Sequence, residues 1–520
     1  MAMHVNKSLR RAQKYLKLGE FQKAQLEFIQ ILEKFPKNIN ALKGFHSIQT
    51  GLGGKIVAIT EPPEKKIQGL NVLLNKGDSE RVLDELEGLI ILFPESIVLL
   101  SIQGAAYAHE KKYDSALVCC KKIIAIQPNH AEALFNSGFL HSKLGNFTSA
   151  LESYKDVIKI NPKYTNAHLN SAEILINENN YCEAIKCYAR VIEYQPSDVM
   201  THNEMALAYK NMGQIDKALE CFRQILLIDH DLWWAKFNIA ELYYENNDFD
   251  QAKKHFDTVD NQTSVAKGLE CLFRLGDFEL FNSRLETIKK TDSANLRVAA
   301  ISAFSAQQLG QEDIYPFCKN PLKFLRVSHL DNHLGHSELF LKELLEELNS
   351  RKTQWSPSGR TTRNGYRTKN DLFNHPSPKL QKLEKIIHKE LKCFHEDFSS
   401  VDINMITHWP QETNVSGWYV RLVKNGHQVS HIHPNGWVSG VIYLKTIENP
   451  NETEGAIEFG LHGFNYPVLK HDHPKKLHQP NNGDIVLFPS SLFHQTVPVI
   501  QDAERCVIAF DLVGQTLTMN

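Results

Sequence analysis

The sequence lacks the features that mark membrane-spanning, secreted and polyanion-binding proteins. No apolar run approaches the ~18 consecutive residues that a membrane helix needs. The first residues pass directly into an amphipathic helical pattern without an apolar core, so we expect no secretory signal. Lysine and arginine number 58, and aspartate and glutamate number 60, so no net charge attracts a polyanion. We therefore expect neither a membrane nor a nucleic acid among its partners.

Cysteine provides no structural framework either. The nine cysteines are an odd number without regular spacing, which is typical of reduced thiols and predicts a cytoplasmic protein.

The hydrophobic fraction of 42% is that of an ordinary globular protein. A length of 520 residues exceeds what one hydrophobic core can organise, so it predicts two to four domains, a count taken from typical domain sizes of roughly 50–200 residues.

A 34-residue period runs from about residue 63 to residue 266. Proline closes three successive units at Pro128, Pro162 and Pro196, where it stops a helix. A small residue recurs where two helices approach each other, and a residue that readily adopts a left-handed backbone recurs at the preceding turn. The small residues between the helices are Ala116, Ala150, Ala184, Ala218 and Ala252. The turn residues are Gly77, Gly145, Asn179, Gly213 and Asn247. The period predicts helix-turn-helix solenoid units.

These positions resemble the tetratricopeptide repeat over six contiguous units, which begin at residues 63, 97, 131, 165, 199 and 233. An earlier unit fits the same template and is separated by a glycine-rich insertion at 50–55. A degenerate unit closes the array, so we expect an all-α solenoid domain over 5–296, with the clear units in 63–266. Such an array implies a concave face that binds a protein or peptide. The alternative is a scaffold that only stacks or oligomerises.

The period stops near residue 300, and we expect a linker at 297–325. Helical patterns follow at 337–350 and 377–398. The pattern then changes to short strand-like runs separated by Gly, Pro, Asn or Asp. These runs read WYVRLV, WVSGVIYLK, GAIEFG, DIVLFP and RCVIAFDLV. They predict a second domain over 326–516, a sandwich or jelly roll with flanking helices.

Two histidines flank one isoleucine in the stretch HIHPNGWVSGVIYL of this second domain. On a strand, residues i and i+2 project to the same face, so His431 and His433 can point at one metal ion. A third ligand must come from elsewhere in the sheet. His494, in the stretch DIVLFPSSLFHQTVPV and 63 residues after His431, is the best candidate. Arg505 follows eleven residues later, at the start of another predicted strand.

This order of residues resembles the 2-oxoglutarate and iron(II)-dependent oxygenases, whose signature is H-x-D/E on one strand, a distant histidine and a later arginine. The H-x-H-P core looks like that of a subfamily of bacterial and phage oxygenases, and the resemblance covers about residues 320–515. It implies a double-stranded β-helix that binds iron(II) through His431, His433 and His494, with 2-oxoglutarate and O2 as co-substrates and ascorbate as a stimulant. It also implies that Arg505 and Tyr443 bind the distal carboxylate of 2-oxoglutarate.

His433 departs from the signature, because most of the superfamily has aspartate or glutamate there. A neutral imidazole leaves the metal less neutralised, so the resemblance leaves open whether His433 is a ligand. Other interpretations are a solvated histidine pair, a surface ion pair for Arg505 and an ordinary core position for Tyr443. His427 lies near the motif, but its spacing of four from His431 does not suit one face of a strand.

The resemblance implies a dioxygenase that couples oxidative decarboxylation of 2-oxoglutarate to hydroxylation of an unactivated C–H bond. The repeats make a protein or peptide side chain the natural acceptor, by analogy with prolyl and aspartyl hydroxylases. Two alternatives are a non-catalytic interaction protein with a degenerate barrel and a hydroxylase of a small metabolite. The loop that carries His462 and His478 is expected to be a solvated lid near the mouth of the barrel.

Overall fold

The computed structural model describes residues 2–35, 38–49, 61–356, 361–411, 413–448, 450, 452–470 and 474–514. The predicted glycine-rich insertion at 50–55 lies outside these ranges. The chain divides into two compact units, Met1–Asp231 and Leu232–Asn520.

The first unit consists of helices, which from residue 64 onward are paired and follow the 34-residue period. They are α1 (Ala2–Lys17), α2 (Phe21–Lys34), α3 (Ile39–Gln49), α4 (Glu64–Asn75), α5 (Ser79–Leu92), α6 (Ile97–His109), α7 (Tyr113–Ile126), α8 (Ala131–Lys143), α9 (Phe147–Ile160), α10 (Thr165–Asn177), α11 (Tyr181–Tyr194), α12 (Val199–Asn211) and α13 (Ile215–Ile228). The recurring alanines of this unit, such as Ala150 and Ala184, are fully buried, which lets paired helices approach closely.

The turns between paired helices take the predicted backbone conformation. Gly77 and Gly145 have φ of 79°, and Asn179 has φ of 59°. These values lie in the left-handed region that glycine and asparagine enter most easily, so the prediction is confirmed. Lys111 has φ of 57° at the corresponding turn of the repeat that begins at residue 97, where the sequence has neither glycine nor asparagine.

The second unit begins with further helices of the same kind. Its helices are α14 (Trp233–Glu245), α15 (Phe249–Phe256), α16 (Gln262–Leu275), α17 (Phe278–Thr291), α18 (Leu296–Leu309), α19 (Asp331–Leu334), α20 (Glu338–Asn349), α21 (Pro378–Asp397) and α22 (Asn404–Thr407). The interval 297–325, expected to be a linker, contains nearly all of α18, and 11 residues of that helix are buried. None of the helices within the described ranges combines the length and apolar character of a membrane span.

Two antiparallel sheets complete the second unit. The strands are β1 (Arg326–His329), β2 (Gln354–Trp355), β3 (Thr362–Arg367), β4 (Thr413–Gln428), β5 (Val438–Lys445), β6 (Ile457–Gly460), β7 (Lys475–His478), β8 (Asp484–Pro489), β9 (Phe493–Thr496) and β10 (Arg505–Gly514). The larger sheet has the order β1-β8-β5-β10-β4-β3-β2, and the smaller has the order β7-β6-β9. Each of the five predicted runs contains a strand.

One hydrophobic core of the second unit draws on both its helices and its sheets, with members from Ala266 in α16 to Leu512 in β10. The inner strands β5, β8 and β10 are almost continuously buried. A helical repeat array followed by antiparallel sheets consistent with a jelly roll confirms the predicted fold class.

Candidate metal centre

The three predicted histidines meet at the edge of the smaller sheet. His494 is the second residue of β9, and His431 forms an isolated antiparallel bridge with it. The two backbones exchange N–H···O bonds of 3.1 and 3.0 Å, and the His433 N–H donates to the Ser490 carbonyl at 2.9 Å. His431 and His433 therefore lie in the connection between β4 and β5 and share no strand. The same-face argument was wrong, and the path of this connection brings the rings together.

One potential ligand atom from each histidine lies within 4.8 Å of the other two. The ring centroids of His431 and His494 are 4.3 Å apart, and the His433 ring lies 5.1 Å and 4.9 Å from them. His431 and His494 are buried, with 8% and 6% of their surfaces exposed. This is the only such group of three ligating side chains within the described residues.

Hydrogen bonds fix the tautomer of each ring. The Nδ1 atoms of His431 and His494 lie 2.7 and 3.1 Å from the carbonyl oxygens of Val429 and Leu492. A carbonyl only accepts, so each Nδ1 carries the proton and donates it. Nδ1 of His433 lies 2.5 Å from Oδ1 of Asp511, which orients this ring in the same way. A neutral ring that carries its proton on Nδ1 keeps a lone pair on Nε2.

The Nε2 atoms of His431 and His433 are only 3.2 Å apart. Two lone pairs at this separation repel each other unless a cation lies between them. Burial and the neighbouring His433 ring lower the pKa of His431 to about 3, and burial also lowers the pKa of His494 well below its usual value. Both rings are therefore neutral at pH 7, which is the form that binds a metal ion.

Asp511 supports the cluster and was not anticipated from the sequence. Its carboxylate accepts from His433 Nδ1 and from the Ser439 hydroxyl, the latter at 2.7 Å. Ser439 in turn lies 2.7 Å from the Ser490 hydroxyl. A carboxylate behind a ligating histidine is a common arrangement around protein-bound metals. The signal was present in the sequence, because a lone aspartate interrupts the apolar strand RCVIAFDLV.

Arg505 and Tyr443 lie together on neighbouring strands. Arg505 is 1% exposed, and its Nε donates to the Gly455 carbonyl at 2.9 Å. Its Nη2 donates to the Tyr443 hydroxyl at 3.3 Å. Its Nη1 is buried and has no hydrogen-bond acceptor among the described residues. Within the described part of the chain Arg505 forms no surface ion pair, and Glu504 pairs instead with Arg421 and Lys445.

Two histidines that we did not select, His427 and His478, lie outside the cluster. His427 belongs to β4, where it pairs with Arg363 of β3. His478 Nε2 bonds Asp484 at 3.0 Å, and its ring lies beside Tyr443. The backbone of His427 and the side chain of His478 therefore have partners outside the cluster.

The loop at 461–470 is anchored rather than solvated. The His462 carbonyl accepts from the Ser430 hydroxyl at 3.1 Å, directly beside the cluster. At its far end the side chain of Gln308 in α18 bonds the backbone of Leu469 and Lys470. Tyr466 is buried between these two anchors, with 2% exposed. The second unit's last repeat-like helix therefore holds a loop that reaches the histidine cluster.

Comparison with known families finds different models for the repeat helices and for the part of the chain that contains the sheets. A family model described as "Putative 2OG-Fe(II) oxygenase" matches residues 416–511. Tetratricopeptide-repeat models match residues 141–203, 201–231 and 234–262. The protein class is thus a tetratricopeptide-repeat protein with a further C-terminal domain. Residues 416–511 of that domain are similar to a family described as a putative 2OG-Fe(II) oxygenase, and that family implies iron(II) and 2-oxoglutarate.

Several solved structures resemble part of this chain. MamA 41-end from Desulfovibrio magneticus RS-1 is 20% identical over 31% of this chain and 92% of its own, with a TM-score of 0.29. YrrB, titled a TPR protein with an unusual peptide-binding site, is 21% identical over 34% of this chain and 91% of its own, with a TM-score of 0.30. Part of a repeat protein from Cytophaga hutchinsonii is 13% identical over 45% of this chain and 98% of its own, with a TM-score of 0.39. No curated protein matches the chain.

Proposed function

We propose that this chain is an iron(II)- and 2-oxoglutarate-dependent dioxygenase that hydroxylates a protein or peptide side chain. The observation that carries the proposal is the convergence of His431, His433 and His494, each of which offers one ring nitrogen within 4.8 Å of the other two. Imidazole suits iron, and a protein shell of three ligands leaves coordination positions for a bidentate co-substrate and for O2. When bound, iron(II) and 2-oxoglutarate supply the oxygen activation that hydroxylation of an unactivated C–H bond requires.

His433 acts as the third ligand in this proposal, in the position where the signature has a carboxylate. The negative charge lies behind this ligand instead of on it, because the Asp511 carboxylate accepts a hydrogen bond from Nδ1 of His433. An imidazole that donates to a carboxylate is a more basic ligand, which offsets part of the charge lost from the metal shell. Asp511 also holds the ring so that Nε2 faces Nε2 of His431.

Arg505 and Tyr443 bind the distal carboxylate of 2-oxoglutarate in this proposal. The buried Nη1 of Arg505 lacks an acceptor among the described residues, and a carboxylate oxygen would satisfy it. Burial raises the pKa of Tyr443, so its hydroxyl keeps its proton. That hydroxyl accepts from Arg505 and can donate its own proton to the same carboxylate.

The acceptor is recruited by the concave face of the repeats. Support comes from six repeat units in unbroken register and from a cavity of about 280 Å³ among α6, α7 and α8. Leu100, Ile123 and the half-exposed Phe139 make this cavity partly apolar, while His109 and Asn136 add hydrogen-bonding groups. Such a mixture suits a peptide, which presents apolar side chains and a polar backbone.

The test begins with full-length protein purified without oxygen. We expect one iron(II) per chain, with iron lost in His431→Ala and His494→Ala and weakened less in His433→Ala, where water can fill the position. His433→Asp should retain iron. His427→Ala is the matched control and should bind iron normally, with circular dichroism confirming that all variants fold. Full iron occupancy in folded His431→Ala or His494→Ala would contradict the proposed site.

Activity separates the alternatives. Succinate release from 2-oxoglutarate with iron(II), O2 and ascorbate supports an oxygenase, whereas iron binding without succinate favours the non-catalytic interaction protein. A chain of residues 232–520 should lose kcat/KM for a protein acceptor while it retains uncoupled succinate release. Unchanged kcat/KM in this truncated chain would refute recruitment by the first unit and favour a small-metabolite hydroxylase.

A further inference from the structure

One repeat of the first unit carries small side chains where the following repeats carry larger ones. Ala105 and Ala108 lie in α6, the first helix of the repeat that begins at residue 97. The residues that follow Ala105 at intervals of 34 are Phe139, Glu173 and Leu207. Those that follow Ala108 are Ser142, Ile176 and Lys210. Both alanines line the cavity among α6, α7 and α8, so this repeat keeps open a space that larger side chains would fill.

The buried side chains that line this cavity are apolar. They include Leu100, Ile123 and Leu140, and the exposed Phe139 adds an aromatic ring to the lining. An apolar cavity of about 150 Å³ is large enough to bind benzene. The volume of about 280 Å³ found here therefore accommodates a phenyl, phenol or indole group, which can pack against Phe139.

Polar groups border the apolar part of the cavity. His130 Nδ1 accepts from the Ala133 N–H at 3.1 Å, so a neutral His130 ring carries its proton on Nε2. His130 and the exposed Asn136 both line the cavity. An imidazole N–H and a side-chain amide can bond the backbone of a peptide that inserts one side chain. An apolar cavity bordered by a few polar groups is typical of a ligand site.

Glu132 brings an acidic group to this lining. It is exposed and forms no ion pair with any residue in the described part of the chain. Lys143 lies nearby, with its ammonium 5.0 Å from the centre of the Phe139 ring, but it does not line the cavity. The cavity therefore carries a negative charge that the chain itself does not neutralise there.

Two further carboxylates continue this charge along the array. Glu173 in α10 and Glu204 in α12 belong to the first helices of the next two repeats. Burial, and then the charges of Glu204, Cys187 and Glu173, raise the pKa of Tyr188 to about 12, so both carboxylates lie near this one hydroxyl group. A basic residue next to an inserted aromatic side chain complements this charge.

We propose that the cavity is an anchor pocket for one aromatic side chain of a peptide that carries lysine or arginine beside it. The proposal rests on the proposed function and deepens it, because it names the sequence class of the acceptor or of its carrier. The aromatic group fills the space left by Ala105 and Ala108, and the basic group pairs with Glu132. Buried aromatic anchors of this kind supply much of the affinity at protein interfaces.

The experiment uses the full chain and three blocked peptides. The first is acetyl-Ala-Phe-Arg-Ala-amide, and the others have alanine in place of phenylalanine or glutamate in place of arginine. Affinity is measured by ligand-observed NMR titration, which detects weak binding. We expect saturable binding of the first peptide, roughly tenfold or more weaker binding without the phenyl group, and roughly threefold or more weaker binding with glutamate. Absence of saturable binding by the first peptide overturns the proposal.

Ala105→Leu fills the cavity with a residue that the array tolerates, because Leu207 stands at the equivalent position of a later repeat. It should weaken binding of the first peptide roughly tenfold or more. Leu207→Phe is the matched control, since it enlarges the same repeat position outside the cavity, and it should bind within roughly twofold of the wild type. Unchanged binding in Ala105→Leu, with circular dichroism showing that it is folded, overturns the proposal.

Glu132→Gln tests the charge separately from the cavity. It should weaken binding of the arginine peptide roughly threefold and remove the preference for arginine over glutamate, since an exposed ion pair contributes little. A preference for arginine that persists in this variant contradicts the role of Glu132.

Sedimentation tests for another occupant, a second copy of this chain. Self-association of the wild type that Ala105→Leu abolishes would assign the cavity to that copy and overturn the peptide proposal. Iron stoichiometry and succinate release test the oxygenase proposal independently. Peptide binding without either leaves the anchor pocket standing while the proposed function fails. Iron binding and succinate release without peptide binding overturn the anchor pocket alone.

Discussion

Replacing Gln308 by alanine should release the loop at 461–470 from helix α18. Gln308 is 1% exposed, and its side chain makes three hydrogen bonds to this loop. Its Oε1 accepts from the backbone N–H groups of Leu469 and Lys470 at 2.6 and 2.8 Å. Its Nε2 donates to the Lys470 carbonyl at 3.1 Å. Alanine removes all three bonds and leaves the helix intact, because alanine is the best helix former.

The size of the effect follows from those bonds. Each contributes about 1 kcal/mol net, so their loss destabilises the docked loop by roughly 3 kcal/mol. That free energy corresponds to a roughly 100-fold larger population of the open loop. The other anchors remain, namely the Phe304 and Tyr466 rings 5.2 Å apart and the bond from Ser430 to the His462 carbonyl. We therefore expect local opening rather than global unfolding.

Hydrogen exchange measured on the full chain tests this expectation. Amides of residues 461–470 should exchange up to about 100-fold faster in Gln308→Ala, while amides of β8 and β10 keep their rates. Gln311→Ala, an exposed glutamine just beyond the same helix, is the control. Because the loop contacts Ser430 beside His431, iron(II) affinity should also fall in Gln308→Ala. Unchanged exchange across the loop would refute the claim that α18 holds it.

Three further predictions concern the site itself. Arg505→Ala should weaken 2-oxoglutarate binding by about 2–4 kcal/mol, roughly 30- to 1,000-fold in Kd, with little change in iron affinity; equal losses of both would remove Arg505 from the co-substrate site. Asp511→Asn, which keeps the size but not the charge, should lower metal affinity about 10- to 100-fold in an anaerobic competition titration, and an unchanged affinity would contradict its supporting role. The pKa of His431 falls from 6.5 to about 3 on folding. Between pH 3 and pH 6.5 the unfolded chain therefore binds more protons than the folded chain, so the metal-free protein loses stability as the pH falls below 6.5. Urea unfolding should show about 2 kcal/mol of this loss at pH 5, which His431→Gln should reduce; an identical pH dependence in the variant would refute the assignment.

The sequence alone was sufficient for the architecture of the repeats. A tetratricopeptide unit makes its contacts within itself and with the units next to it in sequence, so its turn glycines, alanines and terminal prolines record the fold locally. Short strands such as β5 and β8 were also predictable, because their apolar runs are bounded by turn-forming residues. The order of His431, His494 and Arg505 along the chain was enough to nominate the candidate site.

Tertiary structure decided how that site is assembled. His431 and His433 do not share a strand, and their rings converge because backbone bonds tie the connection after β4 to His494 and Ser490. Asp511 reaches His433 because β10 lies beside β5 in the sheet, a pairing between segments far apart in sequence. Hydrophobic periodicity reports which residues are buried, but it does not report which distant residues meet there. Because these long-range contacts are not visible in the sequence, we predicted a linker where helix α18 lies. Its contacts with the loop at 461–470 make it part of the second unit.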